Sequence, residues 1–237
     1  MTWGERDLLA LEVDVIHCLA PGRVGERARV ADPSVRAVWC WSPGARLLAL
    51  GPGVDDPGAV DDAAQPYAPG ETPVALTRIA AALEAPGEPA GIQGGPCFTF
   101  PGRPAARPPA KLPLLVSDAE GRCAARELSR PDNWQHGEWA ELIGGSAGEW
   151  AMAVRDGEPV SICHTPAANA RAAEAGIWTR ADHRGQGLAS AAVAAWARRE
   201  GSRREVLFYS TTIDNHASRG VARALGLTPL GWIWTVR

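Results

Sequence analysis

The chain has 237 residues, 46% hydrophobic and 22% charged: enough apolar material for a buried core, and too much for a disordered tail or a fibre. Its 24 basic and 27 acidic side chains leave a net charge of -3, which disfavours a protein that lives by gripping phosphate backbones, and no apolar run reaches the roughly 20 residues of a membrane span. Met1–Asp7 lack the basic start and apolar stretch of a secretory signal, so a cytoplasmic protein of one or two domains is expected, with neither nucleic acid nor membrane as a partner.

Cys18, Cys40, Cys97, Cys123 and Cys163 are odd in number and scattered, with no CxxC pair. They read as reduced thiols rather than a disulfide framework or a zinc site. The five histidines are equally dispersed, so no metal is expected. Lys111 is the single lysine, a bias that looks genomic rather than functional. Ten tryptophans against three Phe and two Tyr imply large indoles in the core, with one or two free to line a substrate pocket.

In chain order, Leu8, Leu9, Leu11, Val15, Ile16 and Leu19 predict a helix over the first 20 residues, ended by Pro21-Gly22. Val35–Trp41 and Arg46–Leu50 read as strands joined by a turn at 42–44. Residues 51–72 predict an irregular loop, and the acidic Asp55, Asp56, Asp61 and Asp62 within it read as a solvated surface. Pro73–Ala85 is a second helix with Leu76, Ile79, Ala80 and Leu83 on one face. Residues 86–113 hold eight prolines and read as the most linker-like stretch, although Cys97–Phe100 is apolar enough to pack on a neighbour.

The second half is more strongly patterned. Leu114–Val116 is a strand, 117–130 is weakly helical, and Asn133–Leu142 is a helix capped from Asp132. Glu149–Arg155 and Glu158–His164 form a hairpin about Asp156-Gly157. Ala173–Thr179 is the next strand, and a Gly-rich turn at 184–187 feeds a helix, Leu188–Glu200. Val206–Ser210, a helix Ala217–Leu225 closed by Gly226, and a final strand Gly231–Val236 complete the chain.

The chemistry is concentrated in Arg184-Gly185-Gln186-Gly187-Leu188-Ala189, between a strand and a helix. Glycines there allow positive φ and close approach, the first helical amides lack internal partners, and the helix dipole adds positive potential. Together they make an anion site suited to a pyrophosphate, with Arg184 as a fixed charge. A P-loop is excluded because Leu188-Ala189 follow Gly187 in place of Lys and Ser/Thr. The dinucleotide fingerprint fits poorly because Ser190 holds its last position. An RxxGxA pattern matches throughout.

This segment resembles the CoA-pyrophosphate loop of the GNAT superfamily of acyl-CoA-dependent N-acetyltransferases. The run Thr211-Thr212-Ile213-Asp214-Asn215-His216-Ala217-Ser218, followed by Val221 to Leu227, resembles that family's Asn-containing helix ending in a Leu-Gly-Phe-like step. The order hairpin, strand, loop, helix, strand, helix, strand agrees over residues 115–237. The resemblance implies a mixed α/β (α+β) fold, a mostly antiparallel twisted sheet flanked by helices, with the acetyl-CoA domain at 111–237. Residues 1–110 form an N-terminal α/β lobe, either a degenerate copy of the same fold or a cover over the acceptor side.

The resemblance also implies roles. Ile177, Trp178 and Thr179 would pair with the pantetheine arm along a splayed strand. Amides of Gly185, Gln186, Gly187, Leu188 and Ala189 would cradle the pyrophosphate beside Arg184. Asn215 and Ser218 would lie near the thioester. Acetyl-CoA is the expected co-substrate, a small-molecule amine the expected acceptor, and attack on the thioester direct. Glu174, flanked by Ala173, Ala175 and Ile177, is a candidate catalytic carboxylate, against the plainer reading of a strand-end Glu facing water. The family's usual Tyr falls at Ala222, so Ser218, Tyr209 or a water would have to supply the thiolate's proton; Tyr209 reads otherwise as half-buried core. That departure keeps open an acyl-CoA-binding sensor without turnover.

Cys163-His164 cannot form a dyad, because adjacent strand residues point to opposite faces; Cys163 is expected in the core and His164 at a strand end or near the cleft. His183 is expected to be exposed. Arg198-Arg199 and Arg203-Arg204 read as helix-end charges facing solvent. The prolines and glycines of 101–113 are candidates for walling the acceptor pocket. The sequence leaves monomer and homodimer equally open.

Overall fold

The computed structural model describes residues 3–20, 27–56, 65–83, 91–102, 112–146 and 148–237. They group into two units. One comprises residues 1–98 with 210–216 and 229–237, the other 99–209 with 217–228. Pro21-Gly22, Asp61, Asp62, Lys111 and most of the prolines of 86–113 fall outside the described residues.

In the first unit α1 (Glu5–His17) carries Glu5 and Asp7 in its first turn, where the helix dipole favours acids. It ends ahead of the expected Pro-Gly stop, because Cys18 adopts a left-handed conformation (φ 53) and its N–H closes on the Asp14 carbonyl. Two short strands follow, β1 (Leu19–Ala20) and β2 (Ala28–Val30). They are too short to leave a periodic signal in the sequence. Strands β3 (Ala37–Trp41) and β4 (Arg46–Leu50) form the predicted antiparallel hairpin, with Trp39 opposite Leu48. The Glu5 carboxylate accepts from the Ser42 hydroxyl and from Gly44 N at 2.8 Å, which pins the turn. Helix α2 (Val74–Leu83) buries Ala75, Leu76, Ile79 and Ala80.

The linker expectation for 86–113 is corrected by β5 (Ile92–Thr99). The two glycines that make this stretch look like a linker are close-approach residues. A Cβ on Gly94 would lie 2.3 Å from the Trp234 ring, and one on Gly95 would lie 1.8 Å from the Thr211 carbonyl oxygen. Strand propensity yields here to packing that admits no side chain.

The second unit begins with β6 (Leu114–Val116) and α3 (Ala119–Ala125), the latter capped by Asp118 on Gly121 N at 2.8 Å. Helix α4 (His136–Gly144) starts three residues later than predicted. Its cap is Gln135, whose N–H donates to the Glu138 carboxylate at 3.1 Å, and not Asp132. Strands β7 (Trp150–Arg155) and β8 (Glu158–Ala168) turn through Asp156 (φ 51) and Gly157 (φ 79), the paired positive φ of a type I′ hairpin. Then come β9 (Ala172–Thr179), a 3-10 turn at Ala181–His183, α5 (Leu188–Glu200), β10 (Val206–Ser210) and α6 (His216–Leu225), which closes on Gly226 at φ 64.

The strand order in this unit is β10-β9-β8-β7-β6, antiparallel except for the β9/β10 pair. Helix α5 packs across β6 to β9. Trp139, Leu142, Trp150, Met152 and Ile162 form a separate cluster with Trp134 and Trp178 against it.

The last strand, β11 (Thr228–Val236), returns to the first unit, whose order is β1-β2-β4-β3-β11-β5. It runs antiparallel to β3, with Trp234 opposite Trp39. Trp39, Trp41, Trp232 and Trp234 build that unit's core with Leu76 and Ile79. The fold is thus mixed α/β with mostly antiparallel pairing and helices packed on the strands. Among the described residues no helix is long and apolar enough to cross a membrane.

Candidate active site

Two features of the second unit meet at the end of β9. The first is the parting of the parallel pair. Strand β10 pairs with β9 at Val206↔Ala172, Leu207↔Ala173 and Phe208↔Glu174, and the register stops there. Beyond it, Ile177, Trp178 and Thr179 still pair with β8, opposite Cys163, Ile162 and Ser161. They are half-buried, so the edge of β9 that would have faced β10 is left for another extended partner.

The second feature is the loop. Gly185 and Gly187 have φ 74 and 77, and Gly187 is the N-cap of the 13-residue α5. Nothing lies within 4 Å of where a Cβ on either would stand, so the requirement for glycine is conformational and the space in front is open. The first helical bond runs from Ala191 N to Gly187 O at 3.1 Å, which leaves the N–H groups of Leu188, Ala189 and Ser190 without helical acceptors. Arg184, Gly185, Gln186 and Gly187 are exposed. Arg184 is steadied by its Nε on the Thr179 carbonyl at 3.3 Å, and the Gln186 amide reaches the Asp182 carbonyl at 3.4 Å. These groups fit a pyrophosphate by donor type, dipole and access.

A cavity of about 380 Å³ adjoins this end of β9, lined among others by Arg130, Asn133, Trp178, Thr179, Arg180 and Arg184. Arg180 is tied to Glu158 at 2.7 Å and to Asp182 at 2.8 Å. His183, expected to be exposed, is buried: the 3-10 turn brings its Nδ1 to Asp182 at 2.9 Å. His183 and then Arg180 hold the Asp182 carboxyl down at about 2.

Behind the parting point lies a buried polar group. Glu174 is 6% exposed and sits inside β9, not at a strand end facing water. Tyr209 is 1% exposed, buried outright where half-burial was expected. Burial pushes its hydroxyl up to about 12 against the influence of Ser218, with Cys163 and Glu174 adding to the rise. Cys163 is raised well above a free thiol by burial and then by Glu174. Four elements, β8, β9, β10 and α6, therefore bring Cys163, Glu174 and Ser218 to bear on Tyr209, and Glu174 on Cys163. At neutral pH Tyr209 is a proton donor, not a phenolate. Ala222, buried on α6, carries no hydroxyl.

Asn215 is exposed, its N–H donates to the Thr212 carbonyl at 3.1 Å, and it falls with residues 210–216 of the first unit. The arginine pairs flanking the end of α5 are not mere solvent-facing charges, since Arg199 and Arg203 grip Glu149 at 2.7 and 2.9 Å and Arg204 holds Glu200 at 3.1 Å. The β8 register shifts after His164, a bulge that leaves no residue pattern of its own.

Residues 111–228 match the family model of the acetyltransferase (GNAT) domain. No curated protein matches the chain. Among solved structures, it is similar to an acetyltransferase of the GNAT family from Colwellia psychrerythraea: 14% identity, 69% of this chain and 61% of that one, TM-score 0.48. A GCN5-related N-acetyltransferase from Kribbella flavida shares 21% identity over 62% of this chain and 59% of its own, TM-score 0.41. A tandem GNAT protein from the clavulanic acid biosynthesis pathway shares 18% identity over 92% of this chain and 77% of its own, TM-score 0.45. The chain spans less than two thirds of the length of the first two.

Proposed function

Residues 111–228 belong to the GNAT acetyltransferase family, and we propose that the chain moves an acetyl group from acetyl-CoA to a primary amine of a small molecule by direct attack. The observation that carries this reading is the departure of β10 from β9 after Glu174, ten residues before an exposed Gly-rich loop that caps α5. An extended pantetheine arm would complete β9 along Ile177, Trp178 and Thr179. The loop amides and Arg184 would hold the pyrophosphate. The chain's task is then to orient the two reactants and to manage two protons. Glu174 is the carboxylate placed to receive a proton from the amine. Tyr209, protonated at working pH and influenced by Ser218, is placed to give one to the leaving sulfur. Asn215 is retained as a cofactor contact only through the family's Asn-containing helix.

The first test is thermal unfolding with saturating acetyl-CoA and with NAD as the control. A ligand at 100 times its Kd adds about 2.7 kcal/mol, a shift of about 5–10 °C for a chain of this size. A shift with acetyl-CoA alone supports the site. No shift, or an equal one with NAD, overturns it. The absent hydroxyl at Ala222 favours a second reading, an acyl-CoA sensor, which would bind the thioester and release no thiol with any amine.

A further inference from the structure

We infer that His164 lines the acceptor side of the reacting thioester and takes the proton from a primary ammonium held there; this rests on the transferase reading above. The pleat sets its direction. His164 is opposite Gly176 and Ile162 opposite Trp178, so these four share a face. That face is the one carrying Ile162, Trp178 and Trp134 in a single apolar cluster. After His164, β8 bulges, and the register passes from His164↔Gly176 to Ala167↔Glu174 with one extra residue on β8. Bulges of this kind re-aim a side chain.

The imidazole lies directly on Gly176. A Cβ there would stand 2.6 Å from its Cε1, so no other residue type leaves room for the ring. Trp134 meets it edge to face, with ring centroids 5.1 Å apart. Gly176 is two residues beyond Glu174, the last residue of β9 that β10 covers. The ring is thus fixed beside the opening rather than under the paired part of the sheet. Its Nδ1 is buried with no hydrogen-bond partner among the described residues, a position that ordinarily has one. Burial holds the ring below the usual histidine range, and the Gly176 backbone opposes this only in part, so it is neutral at neutral pH.

Glu174 makes itself felt at Cys163 and Tyr209, whereas His164 responds to burial and to Gly176. The ammonium gives one proton to the imidazole of His164. The freed nitrogen lone pair attacks the thioester carbonyl carbon; the C–N bond forms as C–S breaks, and sulfur leaves with that electron pair. The second proton lost from nitrogen passes to Glu174 and from it to Tyr209, which has given its own proton to the sulfur, and His164 returns its proton to water. With Trp134 and Trp178 on the same face, the acceptor class is a primary amine on an apolar or aromatic frame.

The test is imidazole nitrogen–proton NMR of the full chain, titrated with CoA and with acetyl-CoA. Signals are assigned by replacing His17, His136, His183 and His216 in turn, which spares His164. The expected result is a His164 signal that differs between the two complexes while the other four superpose. If both ligands raise the melting temperature and the His164 signal is the same in each, the assignment is overturned. If neither ligand stabilises the chain, the loop reading fails and takes this inference with it. With an amine that turns over, His164→Gln is expected to lower kcat about 100-fold and leave the KM for acetyl-CoA unchanged. An unchanged kcat, or a proportional rise in that KM, overturns the proton role.

Discussion

Glu200, with no exposed surface, accepts the backbone N–H of Glu149 at 3.0 Å. The same carboxylate receives the Thr165 hydroxyl at 3.3 Å and Arg204 at 3.1 Å, and Thr165 in turn receives Trp196 Nε1 at 2.9 Å. Helix α5 begins at the anion loop and ends at Glu200, so its last turn is fastened to the start of β7. A loop that binds through backbone amides needs a helix that does not shift, and this network supplies the fixed end.

Glu200→Ala would leave the Glu149 N–H and Arg204 without their acceptor inside the unit, while the Thr165 hydroxyl keeps the Glu149 carbonyl at 3.2 Å. The expected loss is on the order of 3 kcal/mol. Urea unfolding should show a lower midpoint with an unchanged slope. A midpoint within experimental error of the parent would mean that the network does not hold the helix.

Glu149 adds a pH dependence. Burial works against its charge, but Ser117, Arg199 and Arg203 outweigh it and hold its carboxyl below the ordinary value. The unfolded chain binds that proton more readily, so the stabilisation is present above the unfolded value of about 4.3 and is lost as pH falls through the lower folded value. Glu149→Gln should therefore be less stable than the parent at pH 7, and the gap should narrow in acid. Melting curves from pH 7 down to pH 3 check this, and a constant gap would contradict it.

Much of the second unit is legible because its signals are local. Asp156-Gly157 needs two positive φ values and has them, and Gly187 starts α5 at the residue where the loop pattern ends. The residue pattern points to Glu174, Tyr209 and Ser218 one at a time, and only pairing and burial bring them together. The bulge at His164 depends on register, and the inward turn of His183 on a single 3-10 turn too short to leave a residue pattern. Strand β5 depends on neighbours distant in sequence, and its glycines imitate a linker because Trp234 and Thr211 occupy the space where side chains would go.

Gly95→Ala tests that last point. Its Cβ would meet the Thr211 carbonyl, which is backbone and cannot swing away as a side chain could. Overpacking of this kind costs about 1–3 kcal/mol, whereas alanine in a true linker would be neutral or slightly stabilising. Chemical unfolding of Gly95→Ala separates the two: an unchanged midpoint would return 92–99 to the status of linker.

Gly187→Val separates binding from folding. Valine is disfavoured at φ 77 by roughly 1–2 kcal/mol, and its side chain would enter the open space in front of the α5 amides. The chain should remain folded by circular dichroism and lose the thermal shift with acetyl-CoA. Retained binding would remove the loop from the site.

Tyr209→Phe addresses the leaving sulfur. The two rings have nearly the same volume, so the buried packing is kept and only the hydroxyl beside Ser218 is removed. Because that hydroxyl titrates at about 12, it is protonated throughout the working range, and its loss should lower kcat by about the same factor at every pH from 6 to 9. Binding of acetyl-CoA, measured by calorimetry, should be unchanged, since the role begins only as the C–S bond breaks. Ser218→Ala should have the smaller effect, as its hydroxyl acts through Tyr209. Thiol release followed with any competent amine orders the three proteins, and a Tyr209→Phe enzyme as fast as the parent would leave water as the donor.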